Sequence, residues 1–216
     1  MPQLSGDRVE IESVRSRALS CTRCRLSESR TQVVWAGGNL DSDVMLIGEG
    51  PGFHEDREGE PFVGASGQLL DRLLAEVGLD RSSVAIVNVV KCRPPGNRDP
   101  LPDEIDACRP YLEAQLEYMR PDVIVTLGNF ATRFMIGEPI GITRARGRLF
   151  RYRGATVVPT FHPAAALRGG SDRGIPRIDA IRQDLATVKV LVQQARSRHV
   201  AHAPQPASAH QLGLFE

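Results

Sequence analysis

No apolar run in this 216-residue chain approaches the eighteen or so residues that span a membrane, and the longest, such as Val84–Val90, have the length of a buried strand. The N-terminal segment is not expected to be a secretory signal. Met1–Arg17 carries Asp7, Arg8, Glu10, Glu12, Arg15 and Arg17 with no apolar stretch between them. Charge of one sign is not in surplus, since 27 Lys and Arg against 26 Asp and Glu leave +1. That balance excludes a protein that coats nucleic acid by bulk charge and leaves room for a local basic patch. Internal repeats are absent. Cysteine is scarce, and a chain of this length buries a core without disulfides. The expectation is a cytoplasmic protein, without a membrane partner, built as one domain with short tails.

The four cysteines are Cys21 and Cys24, a C-x-x-C pair in a polar context, and Cys92 and Cys108, with fifteen residues between them. A close pair with two distant singles suits a four-thiolate site that pins the N-terminal segment to the body of the domain. The competing reading is buried, unligated cysteine. Spacing alone does not separate zinc from an iron–sulfur cluster.

Strands and helices alternate along the rest of the chain. Asp43–Ile47, Ser83–Val90 and Val123–Leu127 read as core strands. Helices are expected over Ser66–Val77, Pro102–Met119, Asn129–Met135 and about Arg177–Arg196. Arg148–Tyr152 and Ala155–Val158 flank Arg153-Gly154 as a hairpin or a pair of edge strands. The pattern predicts an α/β fold, three layers with a central, mostly parallel open sheet and helices on both faces. Ligands of such sheets bind in the loops beyond the strand C-termini. Those loops begin at Gly48, after Val90, at Gly128 and after Val158.

The first reads Gly48-Glu49-Gly50-Pro51-Gly52-Phe53-His54-Glu55-Asp56. Its glycines let backbone N–H groups approach a ligand closely, but the lysine and Ser/Thr of a phosphate loop are missing. Glu49 stands at the strand terminus, while Glu55 and Asp56 also fit a solvated acidic loop. Phe62, between Pro61 and Val63-Gly64, is either a stacking surface for a planar ring or a core plug. Asn88 lies among valines, and a buried amide there can read the donor–acceptor edge of a base. It precedes Lys91-Cys92-Arg93-Pro94-Pro95-Gly96-Asn97-Arg98, and His162 follows a strand in Pro159-Thr160-Phe161-His162-Pro163.

Taken in order, these blocks closely resemble the motifs of family 4 uracil-DNA glycosylases. The likeness covers Gly48–Gly52 with Glu55-Asp56, then Gly59–Leu70, Asn88 with Val89–Pro95, and Phe161–Pro163, from about Leu19 to Val192. Phe161 departs from the tyrosine common before the motif histidine. The resemblance implies a DNA repair enzyme that flips uracil from single- or double-stranded DNA and hydrolyses its N-glycosidic bond. It implies a [4Fe–4S] cluster on Cys21, Cys24, Cys92 and Cys108. Glu49, Glu55 and His162 are then catalytic, with His162 donating to uracil O2. Gly50, Gly52, Phe62 and Asn88 hold the base, Leu167 wedges into the vacated stack, and Arg168 meets a phosphate. Lys91, Arg93 and Arg98 are expected to add phosphate contacts. Arg144, Arg146, Arg148, Arg151 and Arg153 form either a second patch or a solvated face. A related branch traps uracil covalently through a histidine in an inserted loop; here Arg98 runs straight into Asp99-Pro100. A damaged-DNA binding protein that carries the cluster, non-catalytic or covalent, is the alternative, and a zinc-bearing nucleotide hydrolase lacks its phosphate-loop lysine.

Residues 1–198 are read as one catalytic domain that includes the N-terminal Cys pair. Residues 199–216 are read as a polar, disordered tail ending in Gln211-Leu212-Gly213-Leu214-Phe215-Glu216. The ending resembles the peptide by which bacterial repair proteins dock on the DNA polymerase sliding clamp, with Gln211, Leu212, Leu214 and Phe215 as its motif. The expected protein is a monomer associated with the bacterial nucleoid.

Overall fold

Successive residues of the central strands face opposite ways, and the chain covers both faces with helices. In the computed structural model, which describes residues 3–202, six strands form one sheet. They are β1 (Gly37–Gly38), β2 (Val44–Gly48), β3 (Ala85–Asn88), β4 (Val123–Leu127), β5 (Phe150–Tyr152) and β6 (Ala155–Thr160), in the spatial order β1-β3-β2-β4-β6-β5. The four inner strands are parallel, and the edge strands β1 and β5 are antiparallel to their neighbours. Met45 and Ile47 of β2, Val87 of β3 and Ile124 of β4 point into one core. Val44, Leu46, Ile86, Val123 and Val125 point into the other. Strands buried on both faces read as unbroken apolar runs for this reason.

The first core lies under α1 (Gln3–Leu19), α4 (Pro102–Met119) and α5 (Asn129–Ile136), the second under α3 (Ala65–Glu76) and α8 (Arg177–His202). Three short helices complete the set: α2 (Phe53–Glu58), α6 (Ile142–Ala145) and α7 (Pro163–Leu167). A two-stranded ribbon, β7 (Ser171–Asp172) with β8 (Ile175–Pro176), precedes α8. The fold is a three-layer α/β architecture with a mostly parallel sheet, and Arg153-Gly154 turns the β5–β6 hairpin.

Two elements differ from the expectation. Helix α1 formed where only a charged segment was read, because Ile11, Val14 and Ala18 recur at helical spacing and are buried beside Tyr111 and Leu112 of α4. Helix α8 runs to His202 rather than ending near Arg196. Neither Gly nor Pro interrupts it before Pro204, and the residue before a proline is biased away from helix. Among the described residues no helix is long and apolar enough to cross a membrane. The Gln211–Phe215 motif lies outside the described residues.

Candidate active site

Chain order makes β2 turn to β3 on one side and leaves β4 to pair on the other, so a crevice opens at the C-terminal ends of these strands. The ladder continues past the strands, with Val89 N–H donating to Gly48 O at 3.0 Å and Val90 N–H to Glu49 O at 3.0 Å. This pairing sets Gly48 directly against Asn88. A cavity of about 380 Å³ lies there, lined by Glu49, Gly50, Gly52, Glu55, Phe62, Asn88, His162 and Arg168 among others. Residues from three strand ends, far apart in sequence, therefore share one wall.

Asn88 is 2% exposed, and its Oδ1 is the one buried side-chain polar atom without a hydrogen-bond partner among the described residues. An orphaned acceptor of this kind costs about 1–3 kcal/mol. Gly48 leaves the space beside it open, because a Cβ there would lie 2.3 Å from that oxygen and 2.7 Å from the Phe62 ring. The chemistry that fits is a planar ligand presenting an N–H edge to Asn88 and a face to Phe62.

Phe62 itself is held in an unusual backbone, φ 57°, in the left-handed region that side chains rarely occupy. Two devices keep it there. Gly67 packs so closely on the Phe62 carbonyl that any Cβ would overlap it. Arg81, aligned by Asp71 at 2.9 Å, donates to both Pro61 O and Phe62 O. Gly67 belongs to the Gly59–Leu70 block, whereas Arg81 lies outside every motif. Arg81 stands nineteen residues beyond Phe62, and only the fold brings them together.

His162 caps α7, its Nδ1 accepting from Ala164 N–H at 3.2 Å, and its ring stacks at 27° on Phe62 with centroids 5.4 Å apart. An accepting Nδ1 leaves the proton of a neutral imidazole on Nε2. Burial, and next the nearby Arg168, push the imidazole down to about 4, with Glu55 opposing. His162 therefore stays uncharged near neutrality, as an N–H donor. Below it, Thr160 donates to Asp184 at 2.7 Å, and Arg146 bridges Asp184 at 2.8 Å and Asp172 at 3.3 Å. Arg146 is thus buried, neither patch nor solvated face, because its two carboxylates lie inside the fold. Arg151 and Arg153 belong to the edge hairpin by the N-terminal ends of β4 and β6, away from the cavity.

The two candidate carboxylates differ in their bonding. Glu55 Oε1 accepts from Val63 N–H at 3.0 Å and Gly64 N–H at 2.9 Å, so it staples α2 to the Phe62 loop. Asp56 accepts from Thr31 N–H with both oxygens. Both side chains are buried, which overturns the solvated-loop reading of this pair. The Glu49 side chain makes no hydrogen bond among the described residues, and burial, with Asp99 adding a like charge, pushes its carboxyl up to about 7.

Lys91 requires a correction. It was expected on a phosphate, yet it is 1% exposed. Its Nζ donates to Asn88 O at 2.8 Å and Gln115 Oε1 at 2.5 Å, and lies 5.7 Å from the centre of the Trp35 ring. The side chain follows the inward face of its strand end and cannot reach DNA. Arg98 lines the cavity mouth but is clamped in a two-point bond by buried Glu104, at 2.6 and 2.8 Å. Arg93 is half-buried, while Leu167 and Arg168 are exposed at the end of α7.

All four cysteines line one small cavity beneath Lys91, with Arg30 and Tyr111. Arg30 donates to Cys92 Sγ at 3.2 Å, and the Lys91 backbone N–H donates to Cys108 Sγ at 3.2 Å. Burial pushes the Cys108 thiol up to about 11 and also raises Cys24 and Cys92, so bare thiols hold their protons. Four sulfurs with N–H donors and cations beside them fit an anionic thiolate centre. Among the described residues no three His, Cys, Asp or Glu side chains gather tightly enough for a single ion.

Comparison with known proteins gives the chain a family. The family model described as the uracil DNA glycosylase superfamily matches residues 36–186. A type-4 uracil-DNA glycosylase of Thermotoga maritima is 45% identical over 186 residues, covering 85% of this chain and 95% of that protein. The type-4 enzyme of Sulfurisphaera tokodaii is 45% identical over 166 residues, 73% of this chain and 76% of its own. That of Archaeoglobus fulgidus is 42% identical over 165 residues, covering 73% and 83%.

Proposed function

We propose that this chain, which belongs to the uracil DNA glycosylase superfamily, excises uracil from DNA in base excision repair. The reaction breaks the bond between uracil N1 and deoxyribose C1′. Water supplies hydroxyl to C1′ and, in net, a proton to the base, leaving an abasic site. The observation that carries this reading is the orphaned Oδ1 of buried Asn88 between Gly48 and Phe62. In this reading Oδ1 accepts from uracil N3–H while the amide donates to O4. Cytosine presents the reverse pattern and leaves buried groups unpaired, a penalty worth orders of magnitude. Phe62 stacks on the ring, and Gly50 and Gly52 let the backbone close on it. As the bond lengthens, the base gains negative charge and the sugar positive charge. His162 Nε2–H stabilises the first at O2, and Glu49 orients water and faces the second.

Cys21, Cys24, Cys92 and Cys108 would hold a [4Fe–4S] cluster, which supplies a four-point cross-link between the segment after α1, the end of β3 and α4. Arg93 and Arg168 take phosphates, and Leu167 wedges into the space the base leaves. We assign the protein to the cytoplasm, working as a monomer on chromosomal DNA.

Purified protein, incubated with an oligonucleotide bearing one uracil and then treated with alkali, should cut the strand at that position. Asn88→Asp should lose most of this activity, since a carboxylate cannot donate to O4. The anaerobic preparation should contain about four irons per chain and absorb near the roughly 400 nm expected of this chromophore. Intact strands after alkali would sink the enzymatic reading, and stoichiometric zinc without iron would sink the cluster.

From its sequence, the C-terminal motif is proposed to dock on the sliding clamp, Gln211 by hydrogen bonding and Leu212, Leu214 and Phe215 by apolar anchoring. Residues 210–216 as a peptide should bind the clamp at about micromolar Kd, a common strength for short motifs. Leu214→Ala with Phe215→Ala should abolish binding in the full chain; retained binding, or no binding by the natural sequence, would refute the assignment.

A further inference from the structure

Beside the cavity mouth, α2 exposes the one aromatic among the exposed large apolar side chains of the described residues, Phe53, at 45%. A phenylalanine gains nothing from water, and the core lies within reach of its neighbours Glu55 and Asp56, which are buried while Phe53 is not. Its ring is instead a support for two guanidiniums. Arg57 lies 5.6 Å from its centroid and Arg93 lies 5.1 Å away. His54 meets the ring edge-on at 5.4 Å.

The two cations come from different segments. Arg57 is four residues on in α2, and Arg93 belongs to the loop after β3, where its Nε donates to Asn97 Oδ1 at 2.6 Å. Among the described residues neither guanidinium has a carboxylate partner. Arg81, Arg98, Arg146 and Arg182 each carry one, whereas Arg57 and Arg93, like Arg148 and Arg153, rest on an aromatic ring instead. Flanking residues tie the group to the cavity. Gly52 before Phe53, Pro94 after Arg93 and Asn97 all line it.

We propose that Phe53, Arg57 and Arg93 form a rail for the DNA strand entering or leaving the pocket. The two guanidiniums hold phosphates next to the flipped nucleotide, and the exposed part of the Phe53 ring supports the adjoining sugar or base. The occupant follows from chemistry: unpaired cations call for a polyanion, and an exposed ring between them suits a strand that alternates phosphate with flat base. A peptide ligand would require acidic residues at the same positions and has no reason to begin at the pocket rim. The inference rests on the proposed uracil excision, because the strand is taken to be the one carrying the flipped base.

The test is binding of a single-stranded oligonucleotide containing 2′-fluoro-2′-deoxyuridine, which resists hydrolysis, measured by fluorescence anisotropy over a range of salt. Each phosphate contact on single strands adds about 0.7 to the slope of log K against log salt. Arg57→Ala with Arg93→Ala should lower the slope by about 1.4, and Arg57→Lys with Arg93→Lys should restore most of it. Phe53→Ala should weaken binding about fivefold or more and Phe53→Trp should retain it. Thermal unfolding of each variant separates lost contacts from lost fold. An unchanged slope in a folded double-alanine variant would overturn the rail, and full affinity in Phe53→Ala would remove the ring from it. If the slope fell as expected in a protein that releases no uracil, the rail would stand and the catalytic reading would fail.

Discussion

Replacing His162 with alanine is expected to slow single-turnover excision by about 100-fold or more while DNA affinity changes little. The reasoning starts from hydrogen bonding. Nδ1 is occupied by the Ala164 N–H, so the ring offers only Nε2–H to the cavity. Burial then keeps the imidazole neutral, with its protonation displaced to about 4. A neutral donor costs less to bury than an imidazolium, yet it strengthens as negative charge gathers on the base oxygen. Phe62 and the Ala164 N–H fix the ring's position before substrate arrives. Preorganisation of that kind acts on the transition state more than on the ground state, so the loss falls on the rate. Because the folded-state value is depressed, the imidazole protonates only as pH falls toward 4, and no limb near 6.5 should belong to His162. A full single-turnover rate in His162→Ala, or a limb near 6.5 that this change removes, would refute the role.

Much of this site was legible because its residues are chemically conspicuous. Strand ends announced themselves as apolar runs that stop at Gly48, Asn88 and Thr160, and an open parallel sheet gathers its ligands at such ends. An asparagine among valines has few reasons to be there. What stayed hidden depended on side-chain direction or distant partners. Lys91 sits in a run with Arg93 and Arg98, and proximity in sequence suggested a shared basic loop. Its direction is decided by Asn88 O and by Gln115, twenty-four residues later on α4. Glu55 and Asp56 looked solvated because their acceptors' partners, the Val63, Gly64 and Thr31 N–H groups, belong to other loops. Helix α1 was missed because charges interrupt it, leaving only Ile11, Val14 and Ala18 as its buried stripe. Arg81 acts wholly through a backbone contact, which no side-chain motif encodes.

The other large effect concerns pH. Excision should rise with pH through about 7, and Glu49→Gln should lower the plateau by about 100-fold or more and flatten that rise. Glu55 is committed elsewhere, its Oε1 accepting from two backbone N–H groups that hold the Phe62 loop. Glu49 is uncommitted, half-buried and on the cavity wall. Burial disfavours its charged form, and Asp99 adds repulsion, which together bring it to about 7. The sign follows: the carboxylate is the form that orients water and faces the cationic sugar, so activity falls as pH drops and Glu49 takes up a proton. Well below the midpoint the decline should be tenfold per pH unit, provided one group is involved. Asp99→Asn tests the cause. Removing the like charge should move the midpoint down toward the ordinary carboxylate range, with the plateau largely kept, since burial is the greater contribution and stays. Rate–pH profiles measured in single turnover at saturating enzyme decide the matter. A limb that persists unchanged in Glu49→Gln would assign it to another group, and an upward shift in Asp99→Asn would contradict the electrostatic account.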